Sequence, residues 1–197
     1  MQYKSISEQN EKFIEIIKKN KELMTILDYI SKSNLPNFYI AAGAVFQTIW
    51  NYYDNLPLNY GIKDIDIIYY DKNNLSKEDE QQLEDKIVEH FKELNINYKF
   101  DVHNEARMHL WKKDNENKEI NQYINSEDAI NQWIATVHAI GITKIEDEIK
   151  VYAPYGLSDI FNRTIRPIKH KANSKELYDK KAKCWKERFD KLNIIEW

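Results

Sequence analysis

The run Asp64-Ile65-Asp66-Ile67-Ile68 sets two carboxylates two residues apart inside an apolar stretch. Side chains alternate between the faces of a strand, so Asp64 and Asp66 share one face while Ile65 and Ile67 point to the other. Like charges so placed repel, and a half-buried strand bears them where a cation sits between them or water covers the face. The run NYKFDVH repeats the logic, with Tyr98, Phe100 and Val102 on one face and Lys99, Asp101 and His103 on the other. If the two strands are neighbours, Asp101 meets Asp64 and Asp66. Three oxygen donors on a rigid sheet suit one or two Mg²⁺ (or Mn²⁺) ions, which clamp phosphoryl oxygens during an in-line displacement. An Asp-x-Asp by itself is more often a solvated strand face. Here it keeps company with a strand-glycine-helix element before it and an acid on an alternating strand after it, the order needed for a phosphate cradle followed by a metal site.

The elements that must position these acids are legible on either side. Phe13, Ile16 and Ile17, then Leu23, Ile26, Leu27 and Ile30, recur at helical spacing, which predicts two linked helices or one bent helix ending before Pro36. FYIAA at 38–42 reads as a strand, and Gly43 opens a helix through Val45, Phe46, Ile49 and Trp50. Gly43 has no Cβ, so the chain can turn tightly there and aim amides at an anion from the start of a helix. A plain strand-to-helix turn is the competing reading of Gly43 if the acids are set aside. After a turn-rich stretch, KDIDIIYYD at 63–71 is a second strand, Ser76 caps a helix bearing Leu83, Ile87, Phe91 and Leu94, and NYKFDV at 97–102 is a third strand. Farther on come a polar loop over 112–125, a helix capped by Ser126 and running to about Ala139, and a hairpin over 142–153 turning near Glu146–Asp147. A short helix follows in YAPYGLSDIF, then a last helix holding Leu177, Cys184, Trp185, Arg188, Phe189 and Leu192. The pattern predicts an α+β fold in one domain over 1–197, with a helical segment at 1–35, a mixed-sheet core at 36–167 and a C-terminal helix at 168–197.

Composition bounds the function. The 197 residues are 42% hydrophobic and 13% aromatic, enough to close a core. Lys plus Arg number 29 against 32 Asp plus Glu, a net charge of -3, so no broad basic field exists for non-specific nucleic-acid binding. Mean hydropathy is -0.73, with no apolar run near membrane-spanning length and no signal-peptide core in MQYKSISEQNEKF, so a cytoplasmic, membrane-free protein is expected. The single cysteine, Cys184, suits a reducing compartment.

Gly43-Ala44, Asp64-Ile65-Asp66-Ile67 and Phe100-Asp101-Val102 together resemble the polymerase-beta-like nucleotidyltransferase superfamily. AAGAVFQTIW, KDIDIIYYD, HNEARMHLW, EDAINQWIATVHAIG and VYAPYGLSDIF more closely resemble a group of small, mostly bacterial nucleotidyltransferases of unknown substrate, across positions 38–167. The resemblance implies that Asp64, Asp66 and Asp101 bind two Mg²⁺ ions, the first pair holding the triphosphate-bound metal and Asp101 helping to orient and deprotonate the attacking hydroxyl. It also implies an NTP substrate and leaves the acceptor open among a small molecule, a protein and RNA. Two departures stand out. Ala44 replaces the second Gly or Ser of the turn, keeping its N–H but losing a hydroxyl, and the stretch from Ala44 to Asp64 is longer than usual.

Other residues have two readings each. Asn104 and Arg107, just past Asp101, enter the same cleft, and Arg107 could bridge phosphates or pair with Glu105 or Asp128 on the surface. His103 and His109 lack the spacing of a zinc site. Trp111 and Trp133 read as core, with base stacking the lesser option for Trp111. Arg163 and Arg166 read as a solvated pair, and the lysines of KKAKCWKER as a solvated face. A metal-dependent nucleotidyltransferase is the leading expectation. A binding module on the same fold would not need three clustered acids, and a phosphodiesterase would not need a triphosphate cradle.

Overall fold

The computed structural model of the chain describes residues 5–197. Helices α1 (Ile6–Lys19) and α2 (Lys21–Ser31) bury the apolar stripe anticipated from their spacing. They are two helices, broken at Asn20, whose Oδ1 accepts from Leu23 N at 3.2 Å and so caps α2. The same amide donates from Nδ2 to Thr48 Oγ1 at 2.9 Å, fixing the break against the next helix.

The central sheet has the order β3-β2-β1-β4-β5, from β1 (Tyr39–Ala41), β2 (Asp64–Tyr69), β3 (Lys99–Asn104), β4 (Gly141–Ile145) and β5 (Glu148–Tyr152). Within this sheet only β2 and β3 run parallel, and α4 (Lys77–Glu93) makes the crossover that a parallel pair requires. Helix α3 (Gly43–Tyr53) lies between β1 and β2 in the chain. The β4–β5 hairpin turns on Glu146 and Asp147, both at positive φ, the two-residue form that matches strand twist. Ile65, Ile67, Phe100 and Val102 face the main core, where Phe91 of α4 stacks on Phe100 at 5.0 Å. On the other face, Ile68 joins Tyr39, Ala41, Ile130 and Ile168 in a smaller cluster. Gly141 is required there, because a Cβ would sit 2.9 Å from the Tyr39 ring.

β3 is an edge strand, and α4 closes that edge. Val102 N donates to Glu84 Oε2 at 3.0 Å and Asn104 N to Glu80 Oε2 at 2.6 Å, so the unpaired N–H groups meet carboxylates rather than another strand.

Three sequence expectations are corrected. The helix expected from Ser126 to Ala139 is α5 (Ser126–Asn131), capped by the Asn125 side chain. Ser126 Oγ instead donates to Asn37 O at 2.6 Å. Beyond Asn131 the backbone pairs with the 166–168 segment, Thr136 N reaching Arg166 O at 3.0 Å and Ile168 N reaching Ile134 O at 3.1 Å, and these long-range bonds override helix propensity. The last helix, α7 (Lys175–Lys186), stops before Phe189 and Leu192, which bury their side chains from a turn. That turn returns the chain as β7 (Asn193–Ile194), paired in parallel with β6 (Thr164–Ile165) just after α6 (Ser158–Phe161), a two-stranded sheet with no sequence signal. No helix among the described residues is long and apolar enough to cross a membrane.

Candidate active site

Strand register assembles the acids. Asp66 on β2 lies opposite Asp101 on β3 on one side and opposite Ala41 on β1 on the other. Asp64, two residues before Asp66 on the same face, pairs with Lys99. Asp64 is exposed and Asp66 and Asp101 are half-buried, so the three carboxylates line a partly open sheet face. Burial, then the Asp64 carboxylate, push the Asp66 carboxyl up to about 7, with Asp101 adding to the rise and Lys181 and Lys99 opposing it. Asp101 is held by Lys99, Nζ to Oδ1 at 2.6 Å. Among the described residues no group of three His, Cys, Asp or Glu side chains is already drawn into metal-binding geometry. The donor set nevertheless fits a hard divalent cation. It is all oxygen, three carboxylates on one sheet face, and burial with the neighbouring negative charge pushes the Asp66 carboxyl up.

The strand-to-helix turn stands beside this row, two residues after Ala41. The turn's left-handed residue is Ala42, at φ 53° and ψ -124°, and not Gly43, which is already helical. Ala42 N donates to Ile140 O at 2.9 Å, and that bond holds the strained backbone in place. Gly43 instead packs under the Gln47 amide: a Cβ there would lie 2.9 Å from Nε2 and would have to displace it. Gln47 is 3% exposed and its Oε1 has no hydrogen-bond partner. No side chain caps α3; Val45 N and Phe46 N donate to Ala42 O at 3.1 and 3.2 Å, which leaves the N–H groups of Gly43 and Ala44, the first two of the helix, without an acceptor among the described residues.

Asn104 and Arg107 lie where the sequence placed them, beyond Asp101, but both are committed to the scaffold. Asn104 is buried, donating from Nδ2 to Asp71 O and Asn74 O at 2.8 Å each, and accepting at Oδ1 from Asp71 N at 2.9 Å and Ala106 N at 3.1 Å. Arg107 is buried too, with Nε on Leu75 O at 2.9 Å and Nη1 paired with Glu80, a partner not foreseen. Trp111 is 55% exposed rather than core, and with Leu110 and His103 it borders a groove of about 610 Å³ that reaches Asp101. Trp133 is partly buried, edge-on to the His138 ring. Arg163 is not a solvated residue, since it binds Asp54 Oδ2 at 2.8 Å and Trp50 O at 3.1 Å, while Arg166 pairs with Asp159 at 3.1 Å.

Sequence reading missed Glu105. It opens the 3₁₀ turn Glu105–Leu110, is 3% exposed, and its Oε2 has no hydrogen-bond partner. Burial pushes its carboxyl up to about 8, with Lys112 opposing and Asp66 adding to the rise. The only sequence signal was a charged residue among Ala106, Met108 and Leu110, too short a pattern to reveal burial.

No curated protein matches the chain. One solved structure, described as an NMR structure that reveals a CCA-adding enzyme head domain, is similar at 28% identity and a TM-score of 0.79, covering 95% of this chain and 96% of that one. The five-stranded mixed sheet with its flanking helices is thus the polymerase-beta-like nucleotidyltransferase fold. The family model described as Nucleotidyltransferase matches residues 28–194, a span that holds the acids, the turn into α3 and the helix α7, and the chain therefore belongs to the nucleotidyltransferase family.

Proposed function

We propose that the protein transfers a nucleoside monophosphate from an NTP to a hydroxyl or phosphate acceptor with release of pyrophosphate, using Mg²⁺ or Mn²⁺ held by Asp64, Asp66 and Asp101. The observation that carries this reading is the register that sets Asp66 opposite Asp101, with Asp64 on the same face and the uncapped start of α3 beside them. In the reaction an acceptor oxygen attacks the α-phosphorus, the bond from that phosphorus to the bridging oxygen breaks, and pyrophosphate leaves. Asp101 takes the acceptor's proton, having exchanged its Lys99 partner for the hydroxyl. Asp64 and Asp66 orient the triphosphate, and the N–H groups of Gly43 and Ala44 receive its anionic oxygens. The bound cations supply charge neutralisation at the phosphoryl oxygens. Positioning and fixed dipoles account for most of the acceleration, as expected for phosphoryl transfer.

The solved relative's description names C and A as the nucleotides added, so CTP and ATP are the first to test. Purified protein is incubated with each α-labelled NTP, Mg²⁺ or Mn²⁺, and acceptor pools of small molecules, proteins and RNA. The reading requires label on an acceptor and equimolar pyrophosphate, both lost in D64A and D101A. Release of labelled monophosphate whatever the acceptor would make the protein a phosphodiesterase instead.

A further inference from the structure

The lysines of α7 do not form a uniformly solvated face. Lys181 turns inward, its Nζ 3.2 Å from His138 Nε2. The His138 ring is enclosed by Trp133 at 5.2 Å, Trp185 at 5.7 Å and Phe46 at 6.5 Å, and Phe46 belongs to the first turn of α3. Ile140, two residues on, holds Ala42 N, so one short segment fastens the start of α3 and brings Lys181 to it.

Lys112, just past the 3₁₀ turn, donates to Tyr123 Oη at 3.4 Å. The Lys181 charge acts on Asp66, that of Lys112 on Glu105, and the two cations on each other. Burial keeps His138 neutral well below the usual histidine range, so Nε2 accepts from Lys181 and Nδ1 carries the hydrogen. That Nδ1 is buried without a partner, as are Gln47 Oε1 and Glu105 Oε2. Of these the His138 Nδ1 hydrogen is a donor, as are the two ammoniums and the free amides at the start of α3, and donors so gathered suit an anionic ligand, whereas the Gln47 and Glu105 oxygens are acceptors and take no part in that set.

Resting on the proposed nucleotidyl transfer, we infer that Lys181, with Lys112 beside it, binds the polyphosphate of the nucleotide at the start of α3, supplying from the C-terminal helix the donor that Ala44 lacks. The acids and this pair of lysines then face each other across the turn. A lone carboxylate ligand would satisfy one side only. A cation-bound polyphosphate satisfies both.

The test is equilibrium binding of CTP, CMP and inorganic pyrophosphate, each with Mg²⁺, to the full chain and to K181A, K181R, K112A and K183A, with thermal midpoints as the check on folding. K181A and K112A should each weaken CTP and pyrophosphate roughly tenfold or more, and CMP far less, because charge-assisted contacts to the outer phosphates are lost. K181R should recover most of the affinity, which a loss by misfolding would not allow. Lys183 is exposed, and K183A should change nothing. Equal weakening of CTP and CMP, or undiminished pyrophosphate binding by K181A, overturns the assignment while leaving nucleotidyl transfer intact. Failure of the unaltered protein to bind any of the three overturns both.

Discussion

At the scale of single residues, the site is a cluster of acids that the metal-free protein tolerates at a cost. D66A should abolish transfer yet leave the metal-free fold as stable as before or slightly more so, since it removes one of several crowded carboxylates. Melting curves without divalent cations check it, and a large drop would make Asp66 a structural residue. Burial, with the neighbouring negative charge, sets the pH dependence. Asp66, held near 7, and Glu105, held near 8, bind protons more readily in the folded than in the unfolded chain, where carboxyls titrate near 4. Their contribution to stability is complete below about pH 4 and is lost as pH rises through 7 and 8, with a ceiling of roughly 4 kcal/mol for Asp66. Metal-free midpoints should therefore fall from pH 5 to pH 9, D66N should remove the part lost near 7, and E105Q the part lost near 8. Added Mg²⁺ should restore more stability at pH 8 than at pH 6, because protonated Asp66 is a poor ligand.

At the scale of elements, the start of α3 and the end of β3 carry the arrangement. A Cβ at Gly43 meets the Gln47 amide, the movable end of a side chain, so G43V should fold while displacing that amide from the start of α3. Titration calorimetry with Mg²⁺ should then show triphosphate affinity reduced more than monophosphate affinity. Equal reductions would take the start of α3 out of the nucleotide site. Asn104 plays the opposite part, since its buried amide ties the end of β3 to Asp71, Asn74 and Ala106. N104A leaves several backbone groups without partners and should cost about 2–4 kcal/mol. Activity should fall with it through loss of Asp101's position, a loss seen in kcat even at temperatures where the variant remains folded.

At the scale of the whole molecule, the C-terminal helix is part of the core rather than an appendage. Trp185 packs edge-on against Phe46 at 5.3 Å, Phe189 against Trp50 at 5.1 Å, and Tyr178 Oη donates to Ile165 O at 3.0 Å. W185A should destabilise the protein by about 3–5 kcal/mol and loosen the His138–Lys181 contact with it. Denaturant midpoints measure the first effect. Nucleotide binding at temperatures where the variant is folded measures the second, and unaltered triphosphate affinity there would separate α7 from the site.

The sequence by itself determined everything that rests on local periodicity. Alternation puts Asp64 and Asp66 on one face and Asp101 on the polar face of its strand, and helical spacing sorts the buried from the exposed side of α1, α2 and α4. It also placed a glycine at the strand-to-helix turn, though for the wrong reason, because which residue of a tight turn takes positive φ depends on what fastens the turn, here Ile140. Only the tertiary structure decided the rest. The 132–140 segment is not helical because it pairs with residues distant in sequence. His138 meets Lys181, and Glu105 meets the charges of Lys112 and Asp66, each from a separate segment, and nothing in their local surroundings marks them. Burial and long-range charge are properties of neighbours in space, and a sequence records neighbours along the chain.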